Sequence, residues 1–233
     1  MAKSLDVDKV LLAVATTYMK RPYECVMCWC ETDNKFLRPV TNLEANSWKL
    51  GTFTVGKRYK FNVVEEPPVE KAILPHQNED MIVGNEVIPM AKDRKPLAQN
   101  ELYAKLRDYG KLFVTDIFGN DNIKEDKYIN KGVNCASAGI LHCNTDDLNF
   151  YYDGYDINGR RKQRCKIEVK GKQDLDFPCS AQYIERSVNR ECLVLLGLAR
   201  GYDKNGEFHK KRCYIMVIGV LMESPVSEVL KSE

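Results

Sequence analysis

The chain has 233 residues, with 44% hydrophobic and 29% charged side chains and a formal net charge of +2. That length suits one large domain or two small ones, and the composition excludes a disordered chain. The near-zero net charge excludes a globally basic nucleic-acid binder, so any such binding has to come from a local patch.

In chain order, Val10–Thr16 predicts a buried strand: short, apolar and without helix caps. Glu24–Glu31 predicts a second, with Val26, Cys28 and Cys30 on one face. Asp33-Asn34 predict a turn into a third strand over Lys35–Val40, which is expected to end at Pro39 or to lie at an edge, because proline cannot donate to a ladder. Lys57–Val64 alternates, with Tyr59, Phe61 and Val63 together, and Met81–Ile88 supplies a fifth strand. Leu97–Gly110 predicts one amphipathic helix, with Ala98, Leu102, Leu106 and Tyr109 on its apolar side and Gly110 as the stop. Residues 111–132 are polar and asparagine-rich and read as a connection.

The second half repeats the β style. Ala138–Cys143 and Leu148–Tyr152 read as strands, Asn158-Gly159 as a hairpin turn, and Cys165, Ile167 and Val169 as the inner face of the returning strand. Cys192–Ala199 and Cys213–Met222 are expected to pair across a turn at Lys204–Glu207. The Cys213–Met222 run is too short for a bilayer, which takes about 20 residues, and Val10–Val14 is too brief for a signal-peptide core. A cytoplasmic protein is expected, and the nine cysteines read as reduced thiols acting as small hydrophobes. Some ten short strands with few helices point to barrels or sandwiches.

Several of these segments also resemble a known family. Leu11–Thr17, Cys25, Lys35-Phe-Leu-Arg38-Pro39-Val40-Thr41, Asn62-Val-Val-Glu-Glu-Pro67 and His76-Gln-Asn-Glu79 follow its N-terminal pattern. Arg161–Val169, Leu193–Leu198 and Lys211–Ile218 resemble its closing strands. The family is the bacterial and archaeal dual OB-containing domain family, whose function is poorly defined. The resemblance touches most of residues 10–222. Cys28-Trp29-Cys30 stands where the family tends to carry a glycine, and Phe177-Pro178-Cys179-Ser180 where it often has Thr-Asp-Pro. What the resemblance implies is a mainly β fold: two OB-like small β-barrels, residues 8–95 and 133–224, joined by a helical and irregular segment over 96–132. From that fold it implies, by analogy, nucleic-acid binding.

The residues themselves offer three basic clusters. Gly159–Lys172 holds seven lysines or arginines and one glutamate, and it follows Tyr151, Tyr152 and Tyr155. Aromatic rings for bases beside cations for phosphates is how OB-type surfaces hold single strands, whereas a solvated hairpin is the plain alternative. Lys57, Arg58 and Lys60 form a smaller cluster, and Lys210, Lys211 and Arg212 another. Arg38 can fork to a phosphate or pair with a carboxylate such as Glu65. The expected nucleic-acid contacts are Arg38, Lys57, Arg58, Tyr151, Tyr152, Arg160, Arg161, Lys162, Arg164 and Lys211. Cys25-Val-Met-Cys28 has half of a zinc knuckle's spacing, but no second pair follows at a zinc spacing, so core thiols are the expectation. Only three histidines are present, and there is no Gly-rich phosphate loop, His-Glu-x-x-His or Gly-x-Ser-x-Gly.

The leading expectation is therefore a non-catalytic protein that binds single-stranded or modified nucleic acid and acts with partner enzymes. No catalytic residue, metal, cofactor or membrane contact is expected. The alternatives are a protein–protein adaptor in a mobile-element or antiviral setting and an enzyme holding a nucleotide-like ligand between the barrels.

Overall fold

The computed structural model describes residues 7–18, 22–41, 48–65, 75–91, 95–125, 127–155, 159, 161–168, 174–180, 190–199 and 212–223. The fold is mainly β. In the N-terminal half the strands are β1 (Val7–Tyr18), β2 (Tyr23–Cys30), β3 (Lys35–Thr41), β4 (Trp48–Lys49), β5 (Arg58–Glu65) and β6 (Asp80–Pro89). The first part of β1 pairs with β5, from Val7↔Val63 to Leu12↔Arg58. Its second part pairs with β2, from Leu12↔Trp29 to Tyr18↔Glu24, with a bulge between Ala13 and Ala15. One strand can serve two partners in this way because the bulge adds twist where the pairing changes sides. β2 pairs with β3, β3 runs parallel to β6, and β6 returns antiparallel to β5. Five strands thus close in the ring order β1-β2-β3-β6-β5, an OB-like Greek-key barrel with β4 appended to β2.

Strand alternation decides what fills the barrel. Leu11, Ala13, Val26, Cys28, Cys30, Leu37, Tyr59, Phe61, Val63, Met81 and Val83 make one buried cluster inside it. Leu12, Val14, Met27 and Trp29, the alternate residues, face outward and are nevertheless buried.

Of the two expectations for Pro39 the edge placement holds: the strand does not end there, but at Pro39 it has a partner on one side only. β3 pairs with β2 only through Lys35, Phe36 and Leu37, then with β6 through Arg38 to Thr41. The Arg38 N–H donates to the Glu79 carbonyl at 2.7 Å. By alternation Pro39 turns its missing donor to the side that β2 has already left, where no ladder bond is lost. Its carbonyl accepts the Trp48 indole N–H at 2.9 Å.

The chain leaves β6 for α1 (Gln99–Leu106), a 3-10 turn at Arg107–Tyr109, and α2 (Val114–Phe118). The Glu101 carboxylate accepts the Ala98 N–H at 2.7 Å, which satisfies one open donor at the start of α1. Residues 111–132 are more than a connection: besides α2 they contain β7 (Ile123–Lys124) and β8 (Tyr128–Asn130).

The second half continues with β9 (Ala138–Asn144), β10 (Leu148–Tyr155), β11 (Arg161–Ile167), β12 (Leu175–Pro178), β13 (Glu191–Leu198) and β14 (Arg212–Met222). They form a five-stranded sheet, β7-β8-β14-β13-β9, and a three-stranded sheet, β10-β11-β12. Between β12 and β14 lies an isolated parallel bridge, Cys179↔Val217. The second core contains Cys165, Ile167, Phe177, Cys192, Val194, Cys213, Ile215 and Val217. Val169, Asn158 and the turn at Lys204–Glu207 lie outside the described residues.

A third cluster joins the halves. Leu12, Val14 and Trp29 of the barrel pack with Leu102 and Leu106 of α1 and with Ile140, Leu193, Leu195, Ile218 and Leu221 of the second half. Among the described residues no helix is long and apolar enough to cross a membrane.

Candidate nucleic-acid interface

β10 and β11 form an antiparallel hairpin that runs beyond the second core. At its inner end, Leu148↔Ile167 and Phe150↔Cys165 face that core. Further out burial stops: Tyr151 is 36% exposed, Tyr152 54% and Tyr155 62%, and Arg161 and Lys162 are exposed as well. Three exposed aromatic rings along one strand, with cations beside them, form a local cluster of the kind that marks interaction surfaces.

The two faces of the hairpin are chemically distinct. On one, Tyr151 lies opposite Arg164, and Asp176 of β12 ties them together. The Tyr151 hydroxyl donates to Asp176 Oδ2 at 2.7 Å, and Arg164 Nε donates to Asp176 Oδ1 at 3.0 Å. Partial burial pushes the Tyr151 hydroxyl's pKa up, and the bond to Asp176 adds to it. Burial also raises the Asp176 carboxyl, but the bonds from Arg164 and Tyr151 outweigh it and leave the group below its ordinary range. On the other face, Tyr152 lies opposite Gln163 and Tyr155 opposite Arg161. The Arg161 guanidinium lies over the Tyr152 ring, 5.4 Å from its centroid, a cation–π contact.

Arg38 and Arg58, two other expected contacts, are already engaged. Arg38 is buried, and its guanidinium pairs with Asp80. Burial works against the Arg38 charge, and Asp80 more than restores it. Arg58 donates to both oxygens of Glu31, at 2.6 and 3.1 Å, and Lys105 of α1 reaches the same carboxylate at 2.7 Å. The bond from Arg58 holds the Glu31 carboxyl down at about 2. Lys60 pairs with Asp8 at 2.5 Å. Lys57 is half-buried in the turn before β5. Two of the three cations in the first basic cluster, Arg58 and Lys60, are thus matched by carboxylates of their own barrel. In the third, Arg212 lies over the Tyr128 ring at 4.3 Å. Arg160 and Lys211 lie outside the described residues.

The nine cysteines are free thiols, and Cys28, Cys30, Cys165, Cys192 and Cys213 are buried. Burial pushes the Cys28 thiol well up and those of Cys135 and Cys143 to about 12, which suits packing rather than nucleophilic chemistry. Among the described residues no group of three or more His, Cys, Asp or Glu side chains is placed to hold a metal ion.

The alternative of a nucleotide-like ligand between the barrels points to a cleft of about 480 Å³ between barrel and second half, whose lining residues the sequence did not single out as a site: Trp29, Phe36, Tyr109, Glu79, Lys111 and Asp116 among others. Trp29 packs against Phe36 at 5.0 Å and Tyr109 at 4.5 Å between ring centroids, so the rings largely occupy one another. Its charged lining is Glu79, Asp108 and Asp116 against Lys35 and Lys111, three carboxylates to two ammonium groups. Phosphate therefore gains no net attraction there.

No family model matches the chain, and no curated protein does. Among solved structures it is similar to the HIN2 domain of tetrameric p202, with 9% identity and a TM-score of 0.33 over 93% of this chain and 90% of that one. A superposition of that quality leaves the fold resting on the chain's own strand pairings.

Proposed function

We propose that the protein is a non-catalytic binder of single-stranded or modified nucleic acid, working beside partner enzymes, and that the β10–β11 hairpin is its contact surface. The observation that carries this is the joint exposure of Tyr152, Tyr155 and Arg161 on one face of a projecting two-stranded arm, with Lys162 exposed on its other face. Aromatic rings stack on bases of any sequence, and neighbouring cations neutralise phosphates. Arg160, adjacent in sequence, belongs to the same proposal.

The architecture proposed with it is two OB modules, residues 8–95 and 133–224, joined by 96–132, as in the dual OB-containing family. Strand correspondence supports it. β9 and β10 follow one another through a corner at Thr145–Asp147 and pair with β13 and β11, as the single strand β1 pairs with β5 and β2. The Cys179↔Val217 bridge is parallel, as is the β3–β6 ladder. In this reading the hairpin is the loop between strands 1 and 2 of the second module, one of the loops with which OB folds hold oligonucleotides.

Filter binding of a labelled single-stranded oligonucleotide tests the reading. The double variant Arg161→Glu, Lys162→Glu is expected to weaken binding at least tenfold at low salt, with thermal stability unchanged. Unchanged affinity would remove the hairpin from the interface.

A further inference from the structure

The pairing of β10 with β11 contains an irregularity. Tyr152 lies opposite Gln163, and Tyr155 lies opposite Arg161. Three steps along β10 therefore match two along β11, so β10 carries one extra residue between its tyrosines. Gly154 takes up the distortion with φ +68°, a conformation that side-chain-bearing residues rarely adopt.

In a regular strand, residues three apart point to opposite faces. The bulge reverses this for Tyr155. Directly opposed residues share a face, and Gln163 and Arg161, two apart on β11, share theirs. Tyr152, Tyr155, Gln163 and Arg161 therefore lie together, and they continue the face that Phe150, Cys165 and Ile167 turn to the core further in. Tyr151, bound to Asp176, is on the reverse side.

The spacing has a chemical meaning. Two residues of antiparallel strand span roughly 7 Å. Successive bases in a duplex strand stand about 3.4 Å apart, half that distance. Rings set about two stacking steps apart suit bases that have left the helical stack, one to each ring, and duplex bases have their π-faces covered by their neighbours.

We infer that the Gly154 bulge builds a two-ring platform, Tyr152 and Tyr155 with Arg161 alongside, that takes two successive unpaired bases and discriminates against duplex. This rests on the hairpin reading above and goes beyond it in naming the strandedness, the number of bases and the device that aligns the rings.

The test is a competition assay on the full chain, with a labelled single-stranded oligonucleotide as probe and unlabelled single-stranded and fully paired oligonucleotides of the same length as competitors. The single strand is expected to compete at least tenfold better. Tyr152→Ala and Tyr155→Ala are each expected to weaken probe binding roughly five- to hundredfold. Inserting one alanine after Lys162, which gives β11 a match for the extra residue and turns Tyr155 to the reverse face while keeping both rings, is expected to weaken binding as much as Tyr155→Ala while melting temperature is preserved. Equal competition by duplex, or full affinity in both tyrosine variants, overturns the inference while leaving nucleic-acid binding intact. No saturable binding of any oligonucleotide overturns the hairpin reading itself.

Discussion

Arg38 shows how far a residue can be read from its neighbours in sequence. Arg38-Pro39-Val40 allows a phosphate fork or a structural pair, and the deciding partner, Asp80, lies 42 positions away on a strand that only the parallel β3–β6 ladder brings alongside. The buried pair sets up a stability prediction. Arg38→Ala leaves the Asp80 carboxylate uncompensated and is expected to cost about 3–5 kcal/mol by urea denaturation. A loss below about 1 kcal/mol would mean that Asp80 finds water or another partner. Glu31 makes a pH prediction. Its carboxyl is held at about 2 by Arg58 against an ordinary 4.5, so its contribution is fully present above 4.5 and is lost as pH falls through that window. The pair is partly exposed, so solvent screens it and the effect is modest. Melting temperature is expected to fall between pH 5 and about 2 more steeply in the native chain than in Glu31→Gln; parallel profiles would contradict this.

At the scale of elements, apolar alternation was the dependable signal. β2 turns Val26, Cys28 and Cys30 inward and β5 turns Tyr59, Phe61 and Val63 inward, as their spacing predicts. α1 buries Leu102 and Leu106, and also Tyr103, whose hydroxyl donates to Glu191 at 3.0 Å. β7 and β8 escaped notice because two- and three-residue strands are too short to alternate, and they exist by pairing with each other and with β14. The β10 bulge was hidden for a related reason: Tyr-Asp-Gly-Tyr reads equally as strand or turn, and only the partner strand reveals the extra residue. Gly56 supplies a prediction at this scale. It holds φ +88°, donates to the Ala13 carbonyl at 2.8 Å and accepts the Leu97 N–H at 2.9 Å, which fastens the approach to α1 onto the barrel. A Cβ there would run into the Leu97 backbone. Gly56→Ala is expected to cost roughly 1–3 kcal/mol in urea denaturation, and a neutral result would show that the joint is loose.

Across the whole molecule, the two halves share a core as well as a connecting segment. The outward faces of β1 and β2 are buried against α1 and the second sheet in one shared cluster. Burying apolar surface between the halves couples their unfolding. Leu106→Ala is expected to cost about 2–5 kcal/mol and to lower a single thermal transition for both halves. Two separated transitions by hydrogen exchange would show that the halves fold independently. The same packing bears on function. The outer face of β2 is spent on the joint, Arg58 and Lys60 are matched by Glu31 and Asp8, and the β10–β11 arm is left with exposed rings and cations. Sequence composition located that arm through Gly159–Lys172 and its tyrosines. It could not show which of the cations had carboxylate partners, because those lie on other strands.

The most direct measurement of the central claim is the affinity of the full chain for a single-stranded oligonucleotide across a salt series. Two phosphate contacts, from Arg161 and Lys162, predict that log K falls linearly with log salt with a slope of about −1.4 or steeper. An affinity independent of salt, or no saturable binding at low salt, would contradict it.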